Sequence, residues 1–107
     1  MTKIISIKQK KEEIPKKFYK MPLLYVNDGY LGIARLKGRS KLHTHDRDEV
    51  VYVLDGRLII NVNGTEHILE PGEAILIEKG ERHISMNKVE THILVFEPQN
   101  IKTDFLE

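Results

Sequence analysis

The sequence predicts an all-β domain, an antiparallel barrel or double-sheet sandwich, on three observations. Turn signals recur at short intervals, at Asn27-Asp28-Gly29, Asp55-Gly56, Asn63-Gly64, Pro71-Gly72 and Lys79-Gly80. The pieces between them, at residues 30–36, 50–54, 58–62, 74–77 and 91–96, are short and rich in β-branched and aromatic side chains. No segment reads as a long helix. At 107 residues the chain fits one domain, because only about two-thirds of the extended-chain surface can be buried at this size.

Taken in order, residues 1–20 are a basic N-terminal arm or edge strand. Seven lysines there face only Glu12 and Glu13. Ile4, Ile5, Ile7, Ile14 and Phe18 are its candidate anchors, and Pro15 stops a ladder from running through it. A single barrel is expected over residues 21–98 and a C-terminal tail over 99–107. Within the barrel, Asn63-Gly64 suits the positive φ values of a tight hairpin, so residues 58–62 should turn back into 66–69. Six to nine strands follow from this spacing of turns.

Composition removes several function classes. The 17 Lys plus Arg nearly balance 16 Asp plus Glu, a formal net charge of +1, which gives no general pull toward nucleic acid. Without cysteine there is no disulfide framework, thiolate metal site or cysteine nucleophile. The first residues lack the apolar core of a secretory signal, and no run approaches the length of a membrane span. A cytoplasmic protein with no nucleic-acid or membrane partner is expected.

The chemistry concentrates in four residues. On an extended strand, residues two apart face the same side, so His43 and His45 direct both imidazoles into one cavity. Glu49 follows after a polar bend and shares parity with Val51 and Val53, which places those aliphatics beneath it. His83 comes after the Lys79-Gly80 turn, and a barrel closing on itself delivers it opposite the pair. Three imidazoles and one carboxylate make a mixed nitrogen and oxygen set suited to Mn, Fe, Co, Ni, Cu or Zn. A divalent ion with one carboxylate keeps a residual positive charge, which favours an oxygen anion in its open positions.

The spacing around these residues is Gly38, four residues, His43-Thr44-His45, three residues, Glu49, six residues, Gly56. A second run reads Gly72, five residues, Glu78-Lys79-Gly80, two residues, His83, three residues, Asn87. Together they resemble the two motifs of the cupin family, with one residue fewer after Gly38 and with Glu78 where that family usually has proline. The resemblance implies a double-stranded β-helix, or jelly-roll barrel. It also implies one divalent metal ion per chain held by His43, His45, Glu49 and His83. Metal-dependent oxygenase or lyase chemistry on a small oxygenated or anionic compound comes first. A sugar-phosphate isomerase-like enzyme and a non-catalytic ligand-binding or sensing barrel are the alternatives.

Parity leaves the cavity wall open. Ile60, Val62, Ile75, Ile77, Leu94 and Phe96 are candidates for its inner face, although the opposite sets also contain aliphatics. Arg35 lies outside if Leu36 faces inward and beside the metal in the other register. His92 falls outside if the odd residues of the last strand point in. Met21 and Met86 are read as packing residues. Because Val50, Tyr52 and Leu54 oppose Val51 and Val53, both faces are apolar, and a homodimer is expected to cover the surplus.

Overall fold

The computed structural model describes all 107 residues. In chain order the elements are a short helix α1 (Ile7–Lys11) and nine strands: β1 (Met21–Val26), β2 (Gly29–Arg39), β3 (His43–His45), β4 (Glu49–Asp55), β5 (Leu58–Val62), β6 (Thr65–Leu69), β7 (Ala74–Ile77), β8 (His83–Pro98) and β9 (Thr103–Phe105). All pairings are antiparallel. The architecture is the expected curled antiparallel barrel of the double-stranded β-helix type.

Strand β8 organises the barrel because it runs through both of its halves. Its first part pairs with β5, as Ile60↔Ser85 and Val62↔His83, and with β3, as His43↔His83. Its second part lies between β2 and β4, as Ala34↔Ile93 and Val51↔Val95. Along it His83, Ser85, Asn87, Thr91, Ile93, Val95 and Glu97 are buried, the period of two that a strand imposes when one face is enclosed. The enclosed faces meet in one apolar cluster containing Leu36, Val53, Leu58, Ile60, Ile77 and Val95.

That parity corrects one expectation. Ile60, Val62, Ile75 and Ile77 do lie on the inner side, but Leu94 and Phe96 do not, and Ile93 and Val95 take their place. The inward histidine and Glu97 lock the odd set of β8 inside, so the even set faces out. The same rule puts Leu36 inside and Arg35 outside, where it meets Glu90 at 3.4 Å. His92 is likewise outside, with Nδ1 2.9 Å from Asp55 Oδ1.

Both chain ends depart from a simple arm and tail. In the N-terminal arm, Ser6 caps α1 by accepting from the Gln9 amide at 3.1 Å, so residues 7–11 are helical rather than an edge strand. Lys11 fastens the helix to Asp55 at 2.6 Å, and Ile14 is the arm's one buried residue. Phe18 has φ +65 and donates its amide to the Arg35 carbonyl at 2.9 Å, which turns the chain across the barrel before β1. At the other end, residues 103–105 form β9 and pair with β3 as His43↔Phe105 and His45↔Thr103. Asn63 and Gly64, at φ +50 and +91, make the expected tight hairpin between β5 and β6.

Candidate metal centre

Three imidazoles converge at the open end of the barrel. His43 and His45 come from one side of β3 and His83 from the first position of β8, and one ligating atom from each lies within 4.8 Å of the other two. The turn before His83 lacks the proline usual in the motif, and hydrogen bonds hold it instead. Gly80 donates its amide to the His45 carbonyl at 2.9 Å, Lys79 to Asp48 Oδ1 at 2.8 Å and Glu78 to Glu81 Oε1 at 2.7 Å. Asn87, the last residue of that motif, accepts from the Ile59 amide at 3.1 Å and so ties β8 to β5 without reaching the centre.

The ring nitrogens show which atoms are available to an ion. His43 Nδ1 lies 2.6 Å from the Lys41 carbonyl and His83 Nδ1 2.9 Å from the Glu81 carbonyl. A carbonyl only accepts, so both Nδ1 atoms carry the proton and both Nε2 atoms present a lone pair. His45 Nδ1 meets the Thr103 hydroxyl at 2.9 Å. The Nε2 atoms of His45 and His83 are buried without any hydrogen-bond partner. Two orphaned buried nitrogens beside a third imidazole are what a metal ion would satisfy, so the residues present fit such a group.

Burial favours the neutral form of His43 and His45. Burial lowers the pKa of His43, and burial followed by the positive charge of Lys20 brings that of His45 down to about 3. Neutral imidazole is the ligating form, so His43 and His45 need lose no proton at pH 7.

Glu49 stands beside the three histidines rather than among them. Its Oε1 is 3.6 Å from His45 Nε2, while its Oε2 accepts from Lys20 Nζ at 2.7 Å. The same ammonium lies 3.0 and 3.2 Å from the two oxygens of Glu97, whose Oε1 also accepts from the Tyr30 hydroxyl at 2.6 Å. The Tyr30 phenol is pushed well above its ordinary pKa by burial and by this carboxylate. Sequence reasoning missed Lys20, Tyr30, Glu97 and Thr103. Glu97 shares the odd parity of His83, a signal that was present; Lys20 and Thr103 carry no local signal.

Below the imidazoles opens a cavity of about 730 Å³. Its floor is aliphatic, with Val51, Leu58, Ile60, Ile77 and Ile93, and Phe18, Tyr19 and Phe105 also line it. Of the three cations lining it, Lys20 is held by two carboxylates, Arg39 by Glu107 at 2.8 and 3.0 Å, and Lys41 lies over the Phe105 ring at 5.5 Å.

Fold and site together define a small single-barrel β protein with a histidine-lined centre. The profile of the family described as the cupin domain matches residues 33–96, more than half of the sequence, and the chain belongs to that family. It is 29% identical over 109 residues to uncharacterized protein YdbB of Bacillus subtilis (strain 168), across 100% of this chain and 96% of that one. Among solved structures it resembles a cupin-2 domain containing protein from Shewanella frigidimarina NCIMB 400, at a TM-score of 0.85 and 29% identity, covering 90% of this chain and 95% of that one. It also shares the fold of hydroquinone 1,2-dioxygenase from Sphingomonas sp. TTNP3, solved with 4-hydroxybenzoate bound, at a TM-score of 0.73 and 12% identity, covering 78% and 67% of the two chains.

Proposed function

We propose that this chain holds one divalent transition-metal ion on His43, His45 and His83, with Glu49 as a fourth ligand, and acts on a small oxygenated compound as a metal-dependent oxygenase or related lyase. The observation that carries the metal reading is the pair of buried, unpartnered Nε2 atoms of His45 and His83 beside His43. When bound, such an ion supplies Lewis-acid charge and open coordination positions to an oxygen of the ligand. The Lys41 and Glu81 carbonyls hold the rings of His43 and His83 in the ligating tautomer. The aliphatic floor takes the apolar body of the ligand and excludes water from it.

The aliphatic part of the wall suits the apolar body of a phenol or hydroxylated ring. Of the three cations lining the cavity, Lys20 and Arg39 are engaged by carboxylates and Lys41 is not, so a phosphate subsite would rest on Lys41 alone. The shared fold of hydroquinone 1,2-dioxygenase supports the same class by analogy. Metal content and competitive metal titration test the centre. Oxygen uptake and product analysis with hydroquinones, catechols and keto acids then separate an oxygenase from a barrel that binds without turnover. Wild-type protein that retains no metal after reconstitution sinks the proposal.

A homodimer in a cytoplasmic setting completes it. The outer face of the sheet aligns Leu76, Val50, Phe96, Leu31 and Leu24 in one row across five strands, with Leu76 and Phe96 exposed at 55% and 46%. A second copy seated there would cover them, and no helix is long and apolar enough to cross a membrane. Sedimentation equilibrium showing a concentration-independent monomer removes the dimer.

A further inference from the structure

Beside the imidazoles, two carboxylates and one ammonium share the cavity wall. Glu49 and Glu97 are only 4% and 5% exposed, and two carboxylates buried side by side are costly unless a cation and donors sit between them. Lys20 meets that need, with Nζ 2.7 Å from Glu49 Oε2 and 3.0 Å from Glu97 Oε1. Its pKa stays raised although burial works to lower it, because the two carboxylates outweigh the burial. Tyr30 secures the far side of Glu97 through its hydroxyl at 2.6 Å. The strap carrying Lys20 is pinned on the barrel by the Phe18 amide on the Arg35 carbonyl at 2.9 Å and by Lys11 on Asp55 at 2.6 Å. Lys20, Tyr30 and Glu97 all fall outside the family match at residues 33–96.

We infer that Lys20 is a positioning residue for the metal centre: it retains Oε2 of Glu49 and so limits that carboxylate to coordination through Oε1 alone. The inference rests on the metal reading above. Oε1 is the oxygen nearer His45, 3.6 Å from its Nε2, whereas Oε2 is turned to the ammonium. A carboxylate gripping an ion with both oxygens fills two positions, and one gripping with a single oxygen leaves the second to an incoming ligand. Lys20 thereby keeps a coordination position open.

The test uses the full chain loaded with Co(II), whose visible absorption reports coordination, titrated with azide as the probe of an open position. The variant K20M/E97Q removes one positive and one negative charge together, so the net charge of the cluster is unchanged and only the hold on Oε2 is lost. Its cobalt spectrum should shift before azide is added, and its azide affinity should fall about tenfold because the freed oxygen competes for the position. E97Q alone leaves the ammonium on Glu49 and should keep the wild-type spectrum. K20Q/E97Q repeats the test with a polar replacement if the methionine variant does not fold. Wild-type spectrum and azide affinity in the double variants would overturn the inference and leave Lys20 as a neutralising cation only. An E97Q protein that behaves like the double variants would overturn it too, by assigning the hold to Glu97. A wild-type chain that takes up no cobalt would overturn the metal reading itself, which the spectrum distinguishes at the first step.

Discussion

Replacing Thr103 with valine removes one oxygen from the centre and almost no volume. That oxygen lies 2.9 Å from His45 Nδ1, on a strand that pairs with β3 at this position. His43 and His83 have their tautomers imposed by carbonyls, which only accept. A hydroxyl both accepts and donates, so His45 depends on Thr103 for orientation and gains the ligating tautomer only while that hydroxyl accepts. Losing one neutral hydrogen bond costs about 1 kcal/mol. If the loss falls on the bound state, metal affinity drops about fivefold, and partners of ligating histidines commonly reach tenfold or more. The assay is a competitive titration of wild type, T103V and T103S against a chelator of known affinity, with denaturant unfolding of each metal-free protein alongside. T103S should match wild type, and T103V should bind metal five- to tenfold more weakly. Equal affinity in all three proteins would refute the argument that the C-terminal strand orients His45.

Three further outcomes are expected. E49Q removes one of the two anionic partners of Lys20 and the proposed fourth ligand, so metal affinity should fall while oxyanion affinity at full metal occupancy rises with the added positive charge and the fold persists; unchanged values for both would exclude Glu49 from the centre. G56A should destabilise by about 3 kcal/mol, because its Cβ would stand 2.5 Å from both the Glu90 carbonyl and Thr91 Oγ1 at φ +81, whereas G64A, with open space around it, should cost about 1 kcal/mol; comparable urea midpoints for the two would contradict this. His43 and His45 have lowered folded pKa values, burial being the main cause, so the unfolded chain takes up protons that the folded chain refuses. Their stabilising effect is complete above the ordinary imidazole value of 6.5 and declines as pH falls from there toward the His45 value of about 3, so the urea midpoint of the metal-free protein should drop between pH 7 and pH 5. A midpoint that stays level across that interval would refute it.

The site is assembled from both ends of the chain around a barrel that the middle supplies. Residues 33–96 carry the three histidines and Glu49, while Lys20, Tyr30, Glu97 and Thr103 come from outside that span. The three histidines close enough to share an ion all come from that matched span. Residues outside it contact the His45 ring, through Thr103, and the Glu49 carboxylate, through Lys20.

By itself the sequence determined the strand segments, the hairpin at Asn63-Gly64 and the convergence of His43, His45 and His83, because turn chemistry and a two-residue alternation act over a few neighbouring positions. It did not determine which side of β8 faces inward. Ile93 and Val95 are as apolar as Leu94 and Phe96, and with aliphatics in both sets only the closed barrel chose between them. Nor could local pattern find the residues beside the histidines. Lys20 and Glu97 are 77 positions apart, and Thr103 and His45 are 58 apart. Such contacts exist only once the chain has closed, because the burial that makes an ammonium seek two carboxylates is a property of the enclosed cavity and not of any segment.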